Sequence, residues 1–233
     1  MSDTAIPSNL LLAALPQATY RSMLPQLERV ELKYQHRLYG SGDTFTHVYF
    51  IESGIVSILV GASARSTLEI AMIGREGMAG LPVFLGAKVA NGRAVVQGEG
   101  SALRMTTGEF LTACSADADL SRVLRAFTYS IMVQISRSAV CNRFHAIDAR
   151  LARWLLVTQD RMRSKEFEIT QEVLSHMLGV RREAVNRAAT NFQKQSLISY
   201  VRGKVKILDR TKLENLACDC YVVAPYNAPL GWS

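Results

Sequence analysis

Hydrophobic positions follow two different spacings along this chain, and each spacing predicts a different kind of structure. Between residues 30 and 107 the apolar residues form short β-prone runs, such as 48–51 and 55–60, and glycines separate the runs. Short strands at nearly regular intervals with glycine turns between them indicate an antiparallel barrel or jelly roll.

A long helix is predicted to follow this β region. Residues 117–144 contain neither Gly nor Pro. Their apolar positions recur at steps of three and four residues, as in an amphipathic helix: Leu120, Leu124, Phe127, Ile131 and Ile135. The helix would be roughly 40 Å long at 1.5 Å per residue, more than a small domain needs to cover its own core. Two interpretations stay open, a core helix and a dimerisation helix that packs against a second copy.

The segment 169–194 has the pattern of two short helices joined by a tight turn. Thr170 is suited to cap the first helix, and Gly179 stands where such a turn needs a positive φ. Apolar Val185 and Phe192 would face inward from the second helix. This pattern predicts a helix-turn-helix, and Asp148 is expected to cap an earlier helix over residues 149–161.

The outward face of the second helix has side chains that suit the major groove of DNA. Arg can bond both acceptors of guanine, Glu accepts from cytosine, and Asn can pair with adenine. Helical spacing brings four such residues together: Arg182, Glu183, Asn186 and Arg187. The alternative is a solvated helix face held by a Glu183–Arg187 ion pair.

A charged hairpin is predicted directly after these helices. Residues 199–209 alternate about Gly203, which indicates two strands and a tight turn. A hairpin in this place is a wing, and Arg202 and Lys204 would then lie near DNA phosphates. A hairpin whose charges only aid solubility is compatible with the same residues.

Charge is concentrated in the C-terminal part of the chain. Residues 142–233 contain 15 basic and nine acidic residues, a net charge of +6, whereas residues 1–141 have a net charge of +1. A basic segment joined to a nearly neutral one favours a polyanionic partner for the basic segment.

Several classes of protein are not expected. No apolar run of 18 residues is present, so no membrane span is predicted. No basic segment precedes the short apolar run 10–15, so no signal peptide is predicted and a cytoplasmic location is expected. No catalytic motif is visible, and an enzyme is not expected.

Two cysteines, Cys218 and Cys220, lie one residue apart, and no third ligand is nearby in the sequence. They are interpreted as structural, so neither a metal nor a cofactor is predicted.

These residues resemble the Crp/Fnr family of bacterial regulators over about residues 20–220. The resemblance is strongest in the helix-turn-helix and in the glycine motifs 40–43 and 74–77. It implies an α+β protein in three parts. These are a cyclic-nucleotide-binding-like antiparallel jelly roll over 1–115, a dimerisation helix and hinge over 116–145, and a winged helix-turn-helix over 146–233.

The resemblance also assigns roles to individual residues on the DNA-binding side. The family's Arg-Glu-x-x-x-Arg pattern appears as Arg182, Glu183 and Arg187. Arg181 replaces the small capping residue usual before this pattern, and we expect it to contact a phosphate because a cation there opposes the helix dipole. Thr170 is expected beside DNA at the start of the first helix.

The effector pocket that the resemblance implies has lost most of its polar groups. Gly80, Arg93 and Ala94 fall at the positions that bind ribose and cyclic phosphate in the family, and Ile135 and Ser136 at those that face the purine. Only Arg93 keeps its chemistry, so an effector other than cyclic AMP, or none, is expected.

The function predicted is a homodimeric, sequence-specific transcription regulator on an inverted repeat of double-stranded DNA, with RNA polymerase as a further partner. Two alternatives stay open. One is a redox- or metal-responsive sensor that uses Cys218 and Cys220, and the other is a cyclic-nucleotide-binding module with a different C-terminal role.

Overall fold

The computed structural model describes residues 6–63 and 66–221, and over these residues it is an α+β protein. Its helices are α1 Leu10–Ala13, α2 Gln17–Met23, α3 Thr107–Ala116, α4 Ala118–Phe144, α5 Ile147–Met162, α6 Gln171–Leu178, α7 Arg182–Lys194 and α8 Arg210–Leu216. Its strands are β1 Glu28–Leu32, β2 Arg37–Tyr39, β3 His47–Ser63, β4 Ser66–Ile73, β5 Met78–Ala79, β6 Arg93–Thr106, β7 Glu166–Glu168, β8 Ile198–Val201 and β9 Lys204–Ile207. The predicted fold class and the long helix α4 are confirmed.

The larger sheet has the strand order β1-β6-β3-β4, with β2 also paired to β6 and β5 to β3. The β1–β6, β2–β6 and β3–β5 pairs are antiparallel. Two glycines permit the backbone to come close where β3 and β6 meet. A Cβ on Gly100 would lie 2.2 Å from the Ser53 carbonyl oxygen, and Gly54 has a φ of +84°. The glycine spacing in the sequence therefore reflects real geometric needs of this sheet.

The described residues form two compact units. The first contains residues 6–56 and 73–132, and the second contains 57–72 and 133–221. The sequence predicts domain boundaries after residues 115 and 145. Boundaries of this kind do not group the β3–β4 hairpin, residues 57–72, with the C-terminal part of the chain.

The core of the first unit contains buried side chains from its sheet, from α1, α2 and α3, and from the first half of α4. Phe50 and Phe110 are fully buried, with ring centroids 6.3 Å apart. Asn9 joins α1 to the sheet, because its side chain caps the helix and also donates to the carbonyl oxygens of Ile51 and Gly77 at 2.7 and 2.8 Å.

The second unit is built on α5 and the two helices that follow it. Leu151, Trp154 and Leu155 form the buried face of α5, as its apolar spacing predicts. The helix begins two residues earlier than expected, with Ala146 at its N-cap position, so Asp148 lies in the first turn and is not the cap. A carboxylate there still interacts favourably with the helix dipole.

No helix in the described part of the chain combines the length and the apolar character that crossing a membrane would require.

Candidate nucleic-acid interface

Local hydrogen bonds and backbone geometry define the first helix of the helix-turn-helix. The Thr170 hydroxyl accepts from the backbone N–H of Val173 at 3.2 Å, so Thr170 is its N-cap. Gly179 ends the helix with a φ of +60°, a conformation that costs other residues roughly 1–2 kcal/mol. Both sequence predictions are confirmed.

The turn of the helix-turn-helix is also in contact with the β3–β4 hairpin of the same unit. A Cβ on Gly179 would lie 2.8 Å from Cδ1 of Leu68, on β4. Gly179 thus satisfies two needs, the left-handed backbone and the close approach of Leu68.

The second helix, α7, separates an apolar face from a polar one as predicted. Val185, Ala188, Ala189 and Phe192 are at most 1% exposed. On the other side lie Arg182, Glu183, Asn186 and Arg187, all exposed, which we call the recognition face. Among the ion pairs of the described residues none joins Glu183 to Arg187, so the alternative of a face held by that pair loses its main support.

A hydrogen bond between the two helices orients one member of the recognition face. The amide of Gln171 donates to Oδ1 of Asn186 at 3.2 Å. Gln171 was missed in the sequence, where only its place beside the N-cap Thr170 could have indicated it. The contact holds Asn186 toward the start of α6 and leaves its amide N–H groups available for an acceptor on a base.

The start of α7 favours an anion. Arg181 stands at the N-cap position with extended backbone, and no side-chain hydrogen bond from it caps the helix. The first N–H groups of a helix need partners from outside it, and the positive end of the helix dipole faces the same way. With Arg181 and Arg182 exposed beside it, this end is suited to a phosphate.

The predicted wing is present and has one more strand than expected. Strands β8 and β9 pair antiparallel around Arg202 and Gly203, which have φ values of +50° and +81° and form the tight turn. Strand β7 adds to the other side of β9 and aligns Glu168 with Lys204. Their charged groups lie 3.5 Å apart and are both 61% exposed, so the pair contributes little to stability and leaves Lys204 accessible to phosphate.

A buried arginine links the end of α4 to the helix-turn-helix. The guanidinium of Arg150 donates to Oδ1 of Asn142 at 2.6 Å and to the backbone carbonyl of Leu178 in the last turn of α6. Burial lowers the pKa of Arg150. A cation at the C-terminal end of α6 is favoured by the helix dipole, and its removal would free a carbonyl inside the protein.

Comparison with known proteins agrees with this geometry. Residues 149–216 match the family model described as a Crp-like helix-turn-helix domain. The part of the chain that contains the helix-turn-helix is therefore similar to that family. No curated protein matches the chain significantly.

Several solved structures are similar in fold to most of this chain, and not only to the Crp-like domain. FixK2 from Bradyrhizobium japonicum has 17% sequence identity and a TM-score of 0.69, over 82% of this chain and 98% of that one. The c-di-GMP-responsive global regulator CLP of Xanthomonas campestris has 17% identity and a TM-score of 0.68, over 82% and 99%. A Crp/Fnr-family transcriptional regulator from Thermus thermophilus has 18% identity and a TM-score of 0.68, over 82% and 98%. At these identities of 17–18%, the likeness to the solved structures is one of fold.

The residues assigned to an effector pocket lie in both units. In the first, Gly80 is buried with a φ of +95°, Ala94 is fully buried, and Arg93 at the start of β6 is partly buried. Nε of Arg93 has no hydrogen-bond partner among the described residues. Ile135 and Ser136 are exposed on the part of α4 that belongs to the second unit.

The predicted dimer seam needs a correction. Leu120, Leu124 and Phe127 are at most 3% exposed in the isolated chain, because the protein's own core takes them up. Phe127, for instance, packs directly against Gly77. Side chains that are already buried cannot form a surface for a second copy, so the first half of α4 is a core helix. Ile131 is half-buried and Ile135 is exposed, which leaves the second half available.

Proposed function

We propose that this protein is a homodimeric, sequence-specific regulator of transcription that binds an inverted repeat in double-stranded DNA. The observation that supports this most is the recognition face, because four groups suited to base edges project from a helix whose opposite side is fully buried. RNA polymerase is the expected protein partner of such a regulator at a promoter.

The dimer is proposed to form through the outer side of the second half of α4. Met132, Ile135 and Ala139 are exposed there and are spaced by three and four residues, so they share one side of the helix. Apolar side chains in this arrangement suit packing against the same helix of a second copy. Two copies would then present their recognition faces about 34 Å apart, one turn of DNA.

The first prediction concerns this assembly. The wild-type protein should be a dimer in light scattering and should protect an inverted repeat in DNA footprinting. Ile135→Asp is expected to give a monomer that no longer protects the repeat, because it places charge in the seam.

Leu111→Asp is the matched control for this experiment, since Leu111 is 44% exposed and Ile135 is 37% exposed but only Ile135 lies on α4. The control should remain a dimer. A wild-type protein that is a stable monomer both free and on DNA would refute the proposed assembly.

The second prediction concerns the reading of bases. Arg187→Ala should weaken binding to the preferred site by about 1–3 kcal/mol and relax the preference at one base pair, because a bidentate bond to guanine is lost. Binding of the variant to a panel of sites, each with one base pair changed, measures this effect.

Lys204→Ala provides the contrast, because the wing is proposed to contact phosphates. It should weaken all sites alike and lower the slope of affinity against salt concentration by about one. If Arg187→Ala also weakened every site uniformly, Arg187 would be a phosphate contact and its assignment to a base would be wrong.

A further inference from the structure

Four potential metal ligands that are distant in the sequence meet in the second unit. Cys141 and His145 lie four residues apart at the end of α4, and Cys218 and Cys220 follow α8. Their ligand atoms all lie within 4.8 Å of one another. No third ligand lies near Cys218 and Cys220 in the sequence, but the fold brings Cys141 and His145 beside them.

The distances are those of separate thiols around a common point. Sγ of Cys141 lies 3.5 Å from Sγ of Cys218, and Sγ of Cys220 lies 3.6 Å from Nδ1 of His145. A disulfide needs about 2.0 Å between its sulfur atoms, and all four cysteines of the chain are free. The cluster is consequently not a cross-link between two cysteines.

A tetrahedral metal centre has nearly these dimensions. Bonds of about 2.3 Å to sulfur and about 2.0–2.1 Å to nitrogen place two sulfur ligands about 3.8 Å apart, and a sulfur and a nitrogen about 3.5 Å apart. The observed 3.5 and 3.6 Å are within a few tenths of an ångström of these values. The remaining pairs of ligand atoms lie within 4.8 Å, so these side chains would have to move together by at most about 1 Å to enclose one ion.

We propose that Cys141, His145, Cys218 and Cys220 bind one zinc ion in a closed tetrahedral site. Three thiolates and one imidazole form a soft ligand set, which selects zinc over magnesium or calcium. Four protein ligands leave no position open for a substrate, as in structural zinc sites.

The surroundings are consistent with this ion. Zinc with three thiolates and a neutral histidine has a net charge of −1, and the positive charge of Arg153 acts on both Cys141 and Cys220. Cys141 and Cys218 are buried, whereas His145 and Cys220 are half-buried, so the site is protected and still has a path for entry.

Binding would join two distant points of the chain within one unit. The ion ties the last turn of α4 to the segment after α8, and the whole Crp-like domain lies between these points in the sequence. Because an ion that binds only the folded chain stabilises it, metal-loaded protein should melt at a higher temperature than metal-free protein.

Cobalt titration of the full-length, reduced, metal-free protein tests the site directly. We expect one Co²⁺ per chain, with the visible bands of tetrahedral cobalt and a thiolate-to-cobalt charge-transfer band, and we expect Zn²⁺ to displace it. Cys218→Ser and His145→Ala should each lose this spectrum. The control Cys114→Ser, which changes the cysteine outside the cluster, should keep it.

A second measurement needs no variant and so does not depend on how a variant folds. Protein purified under reducing conditions should release one zinc ion per chain when its thiols are blocked with a mercurial. Less than stoichiometric zinc together with an octahedral cobalt spectrum would overturn the proposal, as would an unchanged cobalt spectrum in Cys218→Ser. A Cys141–Cys218 disulfide found instead of zinc would also overturn it.

This site does not depend on the proposed regulatory function. Protein that binds cobalt tetrahedrally but protects no DNA would contradict the function and support the site. Protein that protects an inverted repeat but binds no zinc or cobalt would do the reverse.

Discussion

Isothermal titration with cyclic AMP is expected to show no binding in the micromolar range. A tight site needs partners for the cyclic phosphate, the ribose hydroxyl and the purine edge. At the positions where resemblance places them, Ala94 has no hydroxyl, Gly80 has no side chain and Ile135 has no polar group. The loss of three hydrogen bonds at about 1–1.5 kcal/mol each corresponds to an affinity about 200- to 1,000-fold lower.

A different alignment of the pocket residues does not restore these bonds. Ser101 is on the same continuous strand as Arg93, β6, but eight residues along a strand span about 26 Å, too far to share one phosphate. Its hydroxyl also donates to Oε2 of Glu52 at 3.0 Å. Glu99, six residues from Arg93, accepts from the backbone N–H of Tyr34 at 3.3 Å.

Arg93 makes the titration decisive. Its buried Nε without a described partner could still bind an anion. Micromolar binding of cyclic AMP or cyclic GMP that Arg93→Ala abolishes, and that the surface variant Arg29→Ala retains, would show that the nucleotide site is functional. The prediction against cyclic AMP would then be wrong.

The stability of the second unit is expected to fall as pH rises from about 5 to about 8, because of Glu69 on β4. Burial raises the pKa of Glu69 from 4.5 to about 7, although hydrogen bonds from the Ser57 hydroxyl at 2.5 Å and from Nε1 of Trp154 at 3.0 Å oppose the shift. Between these pKa values the folded protein binds more protons than the unfolded chain, so each rise in pH favours unfolding.

The size of this change in stability follows from the shift in the pKa of Glu69. A difference of this size corresponds to at most about 3 kcal/mol of unfolding free energy, and to less where water reaches the carboxyl group. Glu69→Gln keeps the shape and an acceptor for Trp154 but cannot ionise. This variant should be more stable than wild type at pH 8 and should have a flatter pH dependence.

Urea unfolding at pH 5 and pH 8 measures both the stability of the variant at pH 8 and the pH dependence of its stability. Glu31→Gln, which removes an exposed carboxylate on β1, is the matched control and should follow the wild-type profile. An equal change in stability between the two pH values for wild type and Glu69→Gln would show that Glu69 ionises normally in the folded protein.

Local features of the helix-turn-helix could be predicted because each depends on a few neighbouring residues. A hydroxyl at Thr170 caps the next turn, a glycine at 179 permits a left-handed backbone, and steps of three and four residues place Phe192 inside. These are short-range consequences of helix geometry, and the sequence pattern contains them in full.

Contacts between distant segments could not be predicted in this way. Leu120 and Ile135 share one hydrophobic pattern on α4, but only the packing of other elements against the helix decides which of them is buried. The three-residue strand β7 was missed because its pairing with β9 defines it, and its own sequence is too short to show a period. The meeting of His145 with Cys220 has the same origin, since 75 residues separate them.

The β3–β4 hairpin also sets a rule for protein engineering. Glu69 accepts the indole N–H of Trp154, Leu68 contacts Gly179, and Oε1 of Gln134 accepts the backbone N–H of Met72 at 2.7 Å. The second unit is therefore encoded in two separate stretches of the gene. A fragment or chimera cut at residue 133 or 146 would lose the first stretch and leave the Trp154 indole without its acceptor. A transplantable module has to include residues 57–72, for example through a circularly permuted gene that brings the two stretches together.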